Sequence, residues 1–150
     1  MYIVSEKRPW GVALLPLEAL RPHENINEEH LRSLMSEIVK DGVLRKPILV
    51  DFKTLVILDG HHRVEALRRL GARVIPAFLV DYSSDRIVVS TWRKGWHVTK
   101  KDVLRAGLTG AKMPFKTSRH ILVGVDLPIV NIPLEKLGVR TLEAGRSRRS

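Results

Sequence analysis

The run Asp59-Gly60-His61-His62-Arg63 follows the apolar Val56-Ile57-Leu58 and opens a helical pattern, and it combines the groups that hold phosphate. A strand-to-helix turn leaves the first backbone N–H groups of the helix without partners, at the positive end of the helix dipole. Gly60 lets the backbone approach a ligand, and Arg63 can fork two oxygens. A simpler reading makes Asp59 a helix cap and the histidines solvated first-turn residues. Two further polar clusters, Pro22-His23-Glu24 and Lys116-Thr117-Ser118-Arg119-His120, fall in predicted loops or at element ends, where rigid scaffolds present reactive groups. If the three converge, they supply a carboxylate free to act as base, a second carboxylate for a metal, and cations for phosphate. That inventory suits phosphoryl transfer to a hydroxyl, where catalysis is mostly positioning and charge stabilisation.

Each cluster has a plainer alternative. Glu24 can be a loop carboxylate or a cap for the next helix, and Lys116 to Arg119 a solvated basic loop. His23, His61, His62 and His120 could be imagined as metal ligands, but adjacent histidines at a helix start point apart, and no second spaced pair supports zinc. Trp92 reads as a core or cleft-wall aromatic; with Trp10 and Trp96 it accounts for three of the eight aromatics.

The elements that must position these clusters follow from periodicity. Trp10 to Leu20 reads as a strand and a short helical turn that deliver Arg21 to Glu24 as a loop. Leu31, Leu34, Met35 and Ile38 fall at helical spacing, with Asn27 as N-cap, Glu28 and Glu29 in the first turn and Gly42 as the stop. Pro47 to Val50 and Leu55 to Leu58 read as a hairpin joined by Asp51 to Thr54. The helix His61 to Leu70 places Val64, Leu67 and Leu70 inward and Arg68 and Arg69 toward solvent, with Gly71 as its stop. Strands are predicted near Val74 to Val80 and Ile87 to Thr91. A capping box at Thr99 to Asp102 starts a helix reaching about Ala106, and Gly107, Gly110 and Pro114 mark a loop. The loop Met113 to His120 leads to a last apolar run, Ile121 to Val125, and Pro128 to Gly138 is a short extended or turn-helix finish.

A chain of 150 residues with 44% hydrophobic content suits one soluble domain with a real core. It has no cysteine, hence no disulfide, thiolate metal site or thiol nucleophile, which fits a reducing cytoplasm. No secretory signal and no apolar run of membrane-spanning length is evident, so an integral membrane protein is not expected. The net charge is +10, and it is uneven: residues 1–75 carry 12 basic and 10 acidic groups, residues 76–150 carry 14 and 6. Arg140, Arg146, Arg148 and Arg149 belong to a basic end, 140–150, that reads as a disordered tail. The basic body suits an anionic ligand, a nucleotide or a nucleic acid.

In their order along the chain these residues resemble the ParB/sulfiredoxin superfamily, and within it the free L-serine kinases typified by archaeal members. The ParB-like part is Leu15-Pro16-Leu17-Glu18-Ala19-Leu20-Arg21-Pro22. The kinase-like parts are Pro22-His23-Glu24, the Asp59 to Arg63 turn with Leu67 and Leu70-Gly71-Ala72 behind it, Thr91-Trp92, and Lys116 to His120. The resemblance implies a compact single-domain α/β (α+β) fold over residues 1–139, a small mixed sheet flanked by helices. It implies Glu24 as the base that accepts the serine hydroxyl proton, and Asp59 as an aspartate positioning Mg²⁺ and phosphate. Gly60, His61, His62 and Arg63 match the phosphate-holding turn; Trp92, Lys116 and Thr117 match the region that frames the amino acid; Arg119 and His120 would face phosphate. The reaction implied is phosphoryl transfer from ADP or ATP to free L-serine, giving O-phospho-L-serine for cysteine or related synthesis, in a cytoplasmic monomer or small homo-oligomer.

Departures from the family narrow that expectation. The kinases carry a longer insertion where only Arg93 to Met113 joins the tryptophan region to the Lys-Thr loop. Sulfiredoxin chemistry needs a cysteine where this chain has His61. Some thirty residues follow His120, too few for the helix-turn-helix domain of segregation ParB proteins. The competing expectation is a ParB-like module that holds a nucleotide or nucleic acid without transferring phosphate; a ParB-type nuclease would give the Lys116-Thr117 loop no special role. Glu24 separates the first two, since a carboxylate beside a bound phosphate repels it but can take a hydroxyl proton.

Overall fold

The computed structural model describes residues 8–139; residues 1–7 and the arginine-rich end from Arg140 lie outside the described residues. Strand β1 (Gly11–Pro16) runs into a 3-10 turn at Leu17–Ala19, as the sequence predicts. Helix α1 (Glu28–Asp41) starts where the Asn27 side chain accepts the His30 N–H and stops at Gly42, which is left-handed at φ 74°. A two-residue strand β2 (Val43–Leu44) leads to β3 (Ile48–Asp51), which pairs antiparallel with β4 (Ile57–Asp59) through the expected hairpin. Helix α2 (His61–Arg69) and β5 (Val74–Val80) follow. The sheet order is β1-β5-β3-β4, with β3 and β5 parallel and the other pairs antiparallel, so the mixed sheet is present.

Both faces of this sheet are covered, which explains why β5 is buried along nearly its whole length. Alternate side chains serve different layers. Ile75, Ala77 and Leu79 pack with Leu31 and Ile38 of α1 and Val64 and Leu67 of α2. Phe78 and Val80 face the opposite way, toward Leu49, Val56, Ile87 and Val103. The ribbon of β6 (Ile87–Ser90) and β7 (Arg119–Leu122) and helix α3 (Lys100–Thr109) belong to that second side. β8 (Ile132–Pro133) pairs with β2 and ends in a 3-10 turn, Leu134–Leu137.

Three local expectations are corrected, and one apolar run is located at the surface. Gly107 lies inside α3, which runs to Thr109, three residues beyond the predicted end, and the left-handed Gly110 is the true stop. A Cβ at Gly107 would sit 2.8 Å from both Val56 methyls, so glycine here marks helix-to-strand contact and not a loop. The apolar run Ile121 to Val125 is a partly exposed ribbon edge, with Ile121 39% and Val123 51% exposed. Arg119 and His120, placed in a loop by the sequence, lie in β7. Arg69 is surface-exposed but not simply solvated: it forks Glu28 at 3.0 and 2.8 Å and also meets Glu65, tying α2 to α1.

Candidate active site

The turn between β4 and α2 is built around Gly60. It is the N-cap of α2 at φ 112°, and a Cβ there would stand 2.5 Å from Ile48 Cγ2, so only glycine lets the chain pass β3 this closely. Asp59 does not cap the helix, which removes the simplest alternative for it; its side chain is 67% exposed and lies 3.8 Å from Arg63. Arg63 is partly committed elsewhere. Its Nη1 donates to the Lys46 and Pro47 carbonyls at 3.1 Å each, fastening the turn to the chain entering β3, so Nη2 and Nε are the donors left for an anion.

The two histidines of the turn are fixed by backbone donors. His61 Nε2 accepts the His23 N–H and His62 Nε2 accepts the Asn27 N–H, both at 3.0 Å, which puts each neutral ring's proton on Nδ1. Burial pushes the His61 imidazole well below its usual range, and the charge of neighbouring histidines adds to it. Burial also lowers His62, with His30 beside it. Both rings are therefore N–H donors at a helix N-terminus, without charge of their own.

Glu24 is 8% exposed and is reached from the far end of the chain. Its Oε1 accepts the Lys116 N–H at 3.1 Å, and its Oε2 accepts the Ser118 N–H at 2.8 Å and the Ser118 hydroxyl at 2.5 Å. Lys116 adopts a left-handed backbone at φ 61°, uncommon for a side chain of its size, in the turn that carries both amides. Burial works to raise the Glu24 carboxyl, but hydrogen bonding to His23 and to the Ser118 side chain and backbone, with His61 nearby, brings it down to about 2. It is ionised at every physiological pH. Behind it, His23 is fully buried, with Nδ1 2.6 Å from the Ile57 carbonyl oxygen and Nε2 2.8 Å from Ser118 Oγ.

Eight of the predicted residues line one cleft of about 320 Å³: Glu24, Asp59, Gly60, His61, His62, Arg63, Trp92 and Lys116. Trp92 is 58% exposed and is thus a cleft-wall aromatic and not core. Thr117, Arg119 and His120 are not among the lining residues. Thr117 is buried, its hydroxyl donates to the Pro114 carbonyl, and it borders a separate groove with Trp96 and Met113, because the Lys116 turn sends its side chain the other way. Arg119 stacks its guanidinium 4.6 Å from the Trp92 ring centre. His120 sits beneath the cleft with Nε2 2.7 Å from the Tyr82 hydroxyl, and burial together with His23 lowers it to about 3, so it brings no positive charge to a phosphate. Among the described residues no group of three His, Asp or Glu side chains could hold a metal by itself.

Residues 10–91 match the ParB N-terminal domain. The chain belongs to this family. The ParB-type match takes in Glu24 and the whole phosphate turn and stops short of Trp92 and the Lys116 segment, so four of the thirteen residues lining the cleft come from outside it. An ATP-dependent L-serine kinase of Staphylothermus marinus is 35% identical over 83 residues, covering 53% of this chain and 33% of that protein. An ADP-dependent L-serine kinase of Thermococcus kodakarensis is 33% identical over 82 residues, 52% and 34% of the two chains. A ParB-like protein of Sulfolobus acidocaldarius is 41% identical over 80 residues, 50% and 37%. The matches span about a third of the length of these relatives. Among solved structures, a free serine kinase in complex with AMP shares the fold, with TM-score 0.75 at 17% identity over 87% of this chain and 95% of that one.

Beyond the predicted set, the ParB-type cleft is lined by Ser118, Phe115, His30 and Leu34, and it rests on His23. Ser118 and His23 stood inside the quoted clusters, yet their mutual contact spans 95 positions and has no local signal. His30 and Leu34 are four residues apart on α1, a helical spacing that puts them on one face.

Proposed function

We propose that this protein is a kinase that transfers a phosphoryl group from ADP or ATP to free L-serine, with residues 1–139 as its catalytic unit and the cytoplasm as its setting. The observation that carries the reading is the ionised Glu24 carboxylate in the same cleft as the N-terminus of α2. A site that only bound phosphate would gain nothing from an anion there. In this reading the acceptor hydroxyl meets Glu24 Oε1, whose single partner is the Lys116 amide, while the phosphoryl group rests on the Gly60 to His62 turn. Lys116 and Trp92 frame the amino acid at the rim. Thr117, Arg119 and His120 act from outside the cleft, Arg119 through its stack on Trp92 and His120 through the histidine layer.

Asp59 fits Mg²⁺ in the manner usual for kinases, one exposed carboxylate plus phosphate oxygens and water. The ion would neutralise charge on the phosphates; Asp59 would hold it. One of the relatives is an ATP-dependent and another an ADP-dependent L-serine kinase, which supports either nucleotide as donor. No helix among the described residues is long and apolar enough to cross a membrane. The net charge of +10 and the ParB relationship favour, as a second reading, a nucleotide- or nucleic-acid-binding module.

The deciding experiment incubates the full chain with L-serine, Mg²⁺ and either ADP or ATP and looks for O-phosphoserine. Product with one donor supports the kinase. No product with any phosphoryl donor, together with tight and salt-sensitive binding to duplex DNA, replaces it with the module.

A further inference from the structure

The peptide joining Phe115 to Lys116 is gripped at both ends. Its N–H donates to Glu24 Oε1 at 3.1 Å, and its C=O accepts from Arg93 Nη2 at 2.7 Å. In a trans peptide these groups point opposite ways, so the carboxylate and the guanidinium hold one plane from two sides. That plane has an alternative orientation. Half a turn about its long axis changes the ψ of Phe115 and the φ of Lys116 and leaves both Cα atoms in place. It would carry Lys116 from its left-handed φ of 61° into the negative range, which a residue with a Cβ prefers by about tenfold or more. Positive φ at the third residue of a turn is ordinarily glycine's place. The ends of this turn are tied, by the Thr117 hydroxyl on the Pro114 carbonyl and by the Ser118 N–H on Glu24 Oε2 at 2.8 Å, so the central peptide is the one that can turn in place. Turned over, it would present the Phe115 oxygen to Oε1 where a proton donor now stands.

Arg93 is itself anchored for this contact. It follows the cleft-wall Trp92, its own N–H donates to Thr91 Oγ1 at 3.0 Å, and its carbonyl accepts the Trp96 N–H at 3.1 Å. The guanidinium lies 4.9 Å from the centre of the Trp96 ring and 5.8 Å from that of Phe115. Its Nε is buried without a hydrogen-bond partner, so among the described residues the bond to the Phe115 carbonyl is the one its side chain makes. We propose that Arg93 is a positioning residue that locks the Phe115–Lys116 peptide with its N–H toward Glu24, and so fixes Oε1 where the acceptor hydroxyl meets it. The inference rests on Glu24 being the general base. Arg93 does not line the cleft and acts through the peptide alone.

Arg93→Met keeps a long apolar stem against the two rings and removes the donor, whereas Arg93→Lys keeps a donor. In the native chain without substrate, the Lys116 amide and α protons should give a strong NMR cross-peak, because a left-handed residue brings them close; a weak one overturns the lock before any variant is made. In Arg93→Met, hydrogen exchange at the Lys116 amide should quicken by about 10- to 100-fold, the worth of a hydrogen bond to a charged group, while β5 amides keep their protection. In the serine assay kcat should fall by about 10-fold or more with KM for nucleotide unchanged, and Arg93→Lys should recover most of the loss. A Lys116→Gly background separates the lock from simple packing between Trp96 and Phe115. Glycine adopts φ 61° without strain, so there Arg93→Met should cost several-fold less kcat, relative to its own parent, than in the native chain. Unchanged Lys116 exchange or unchanged kcat in Arg93→Met, or an equal cost in the two backgrounds, overturns the proposal. If no phosphorylation occurs at all, the exchange rates in the same variants still decide the lock and only the kinase reading falls.

Discussion

Replacing Glu24 by glutamine is the sharpest perturbation, because it separates what the carboxylate does for stability from what it does for turnover. Its folded value of about 2 lies below the ordinary 4.5, so the stabilisation is fully present above 4.5 and is lost as pH falls toward 2. At about 1.4 kcal/mol per pH unit the carboxylate contributes about 3 kcal/mol at neutral pH. Little discount is due, since the side chain is only 10% exposed. Glutamine keeps one acceptor oxygen but turns an amide nitrogen toward either the Lys116 or the Ser118 N–H, leaving a donor unpaired. Urea unfolding of Glu24→Gln and the native chain should therefore differ by about 3 kcal/mol at pH 7, with the gap closing as pH falls toward 2. In the serine assay the variant should lose ~10²–10⁴-fold in turnover, the usual contribution of a general base, with nucleotide binding nearly intact. Parallel stability curves at all pH values would refute the hydrogen-bonding argument, and native turnover in the variant would remove Glu24 from the chemistry.

Three further outcomes follow from the turn. Asp59→Asn should cut turnover at limiting Mg²⁺ while changing unfolding free energy by less than about 0.5 kcal/mol, since its only described ion pair is a weak contact at 3.8 Å; a large stability loss in urea would contradict this. Gly60→Ala should destabilise by at least about 2 kcal/mol, through the clash with Ile48 and a φ of 112°, and an unchanged melting temperature would refute the close-approach reading. His61 and His62 are both held below the ordinary histidine value and hold anions as neutral donors, so competition by sulfate, whose charge is constant, should stay nearly flat between about pH 6.5 and 8. Binding that strengthens several-fold toward the acid end would show that the rings bind as cations.

What could be read from the residues divides by distance along the chain. α1 was legible because Asn27, the apolar spacing and Gly42 are all local, and the phosphate turn was legible because strand end, glycine and helix start are contiguous. Glu24 could be named as a candidate, but the reason its carboxylate is held ionised lies 92 and 94 positions away, in backbone amides that carry no residue signal. Thr117 was misplaced for a related cause: a left-handed Lys116 redirects the next side chain, and lysine does not advertise that conformation. The apolar run at Ile121 shows that hydrophobicity reports burial only on average, since it edges a two-stranded ribbon and stays partly exposed.

The short connection from Arg93 to Met113 tests how the two parts of the site are joined. In this protein α3 is closed at its start by a Thr99–Asp102 capping box, and Gly107 lies directly against Val56, three positions before β4 ends in the phosphate turn. Beyond α3, Met113 donates its N–H to the His23 carbonyl and accepts the Asn25 N–H, bracketing Glu24 between them. The connection thus touches both parts of the cleft: α3 meets the strand leading to the turn at Val56, and Met113 beyond α3 meets the segment carrying Glu24. Gly107→Ala puts a methyl 2.8 Å from both Val56 methyls, so the helix must move off the sheet, at about 1–3 kcal/mol for overpacking. The displacement reaches Met113 and with it Glu24, so kcat for serine should fall along with the melting temperature, although Gly107 touches neither ligand. Gly110→Ala provides the comparison: its Cβ meets nothing within 4 Å, and the strain of its left-handed φ of 81° is confined to the helix end, so it should cost stability with little change in kcat. Equal kcat in both variants and the native chain would show that the connection carries stability alone and that Glu24 is positioned without it.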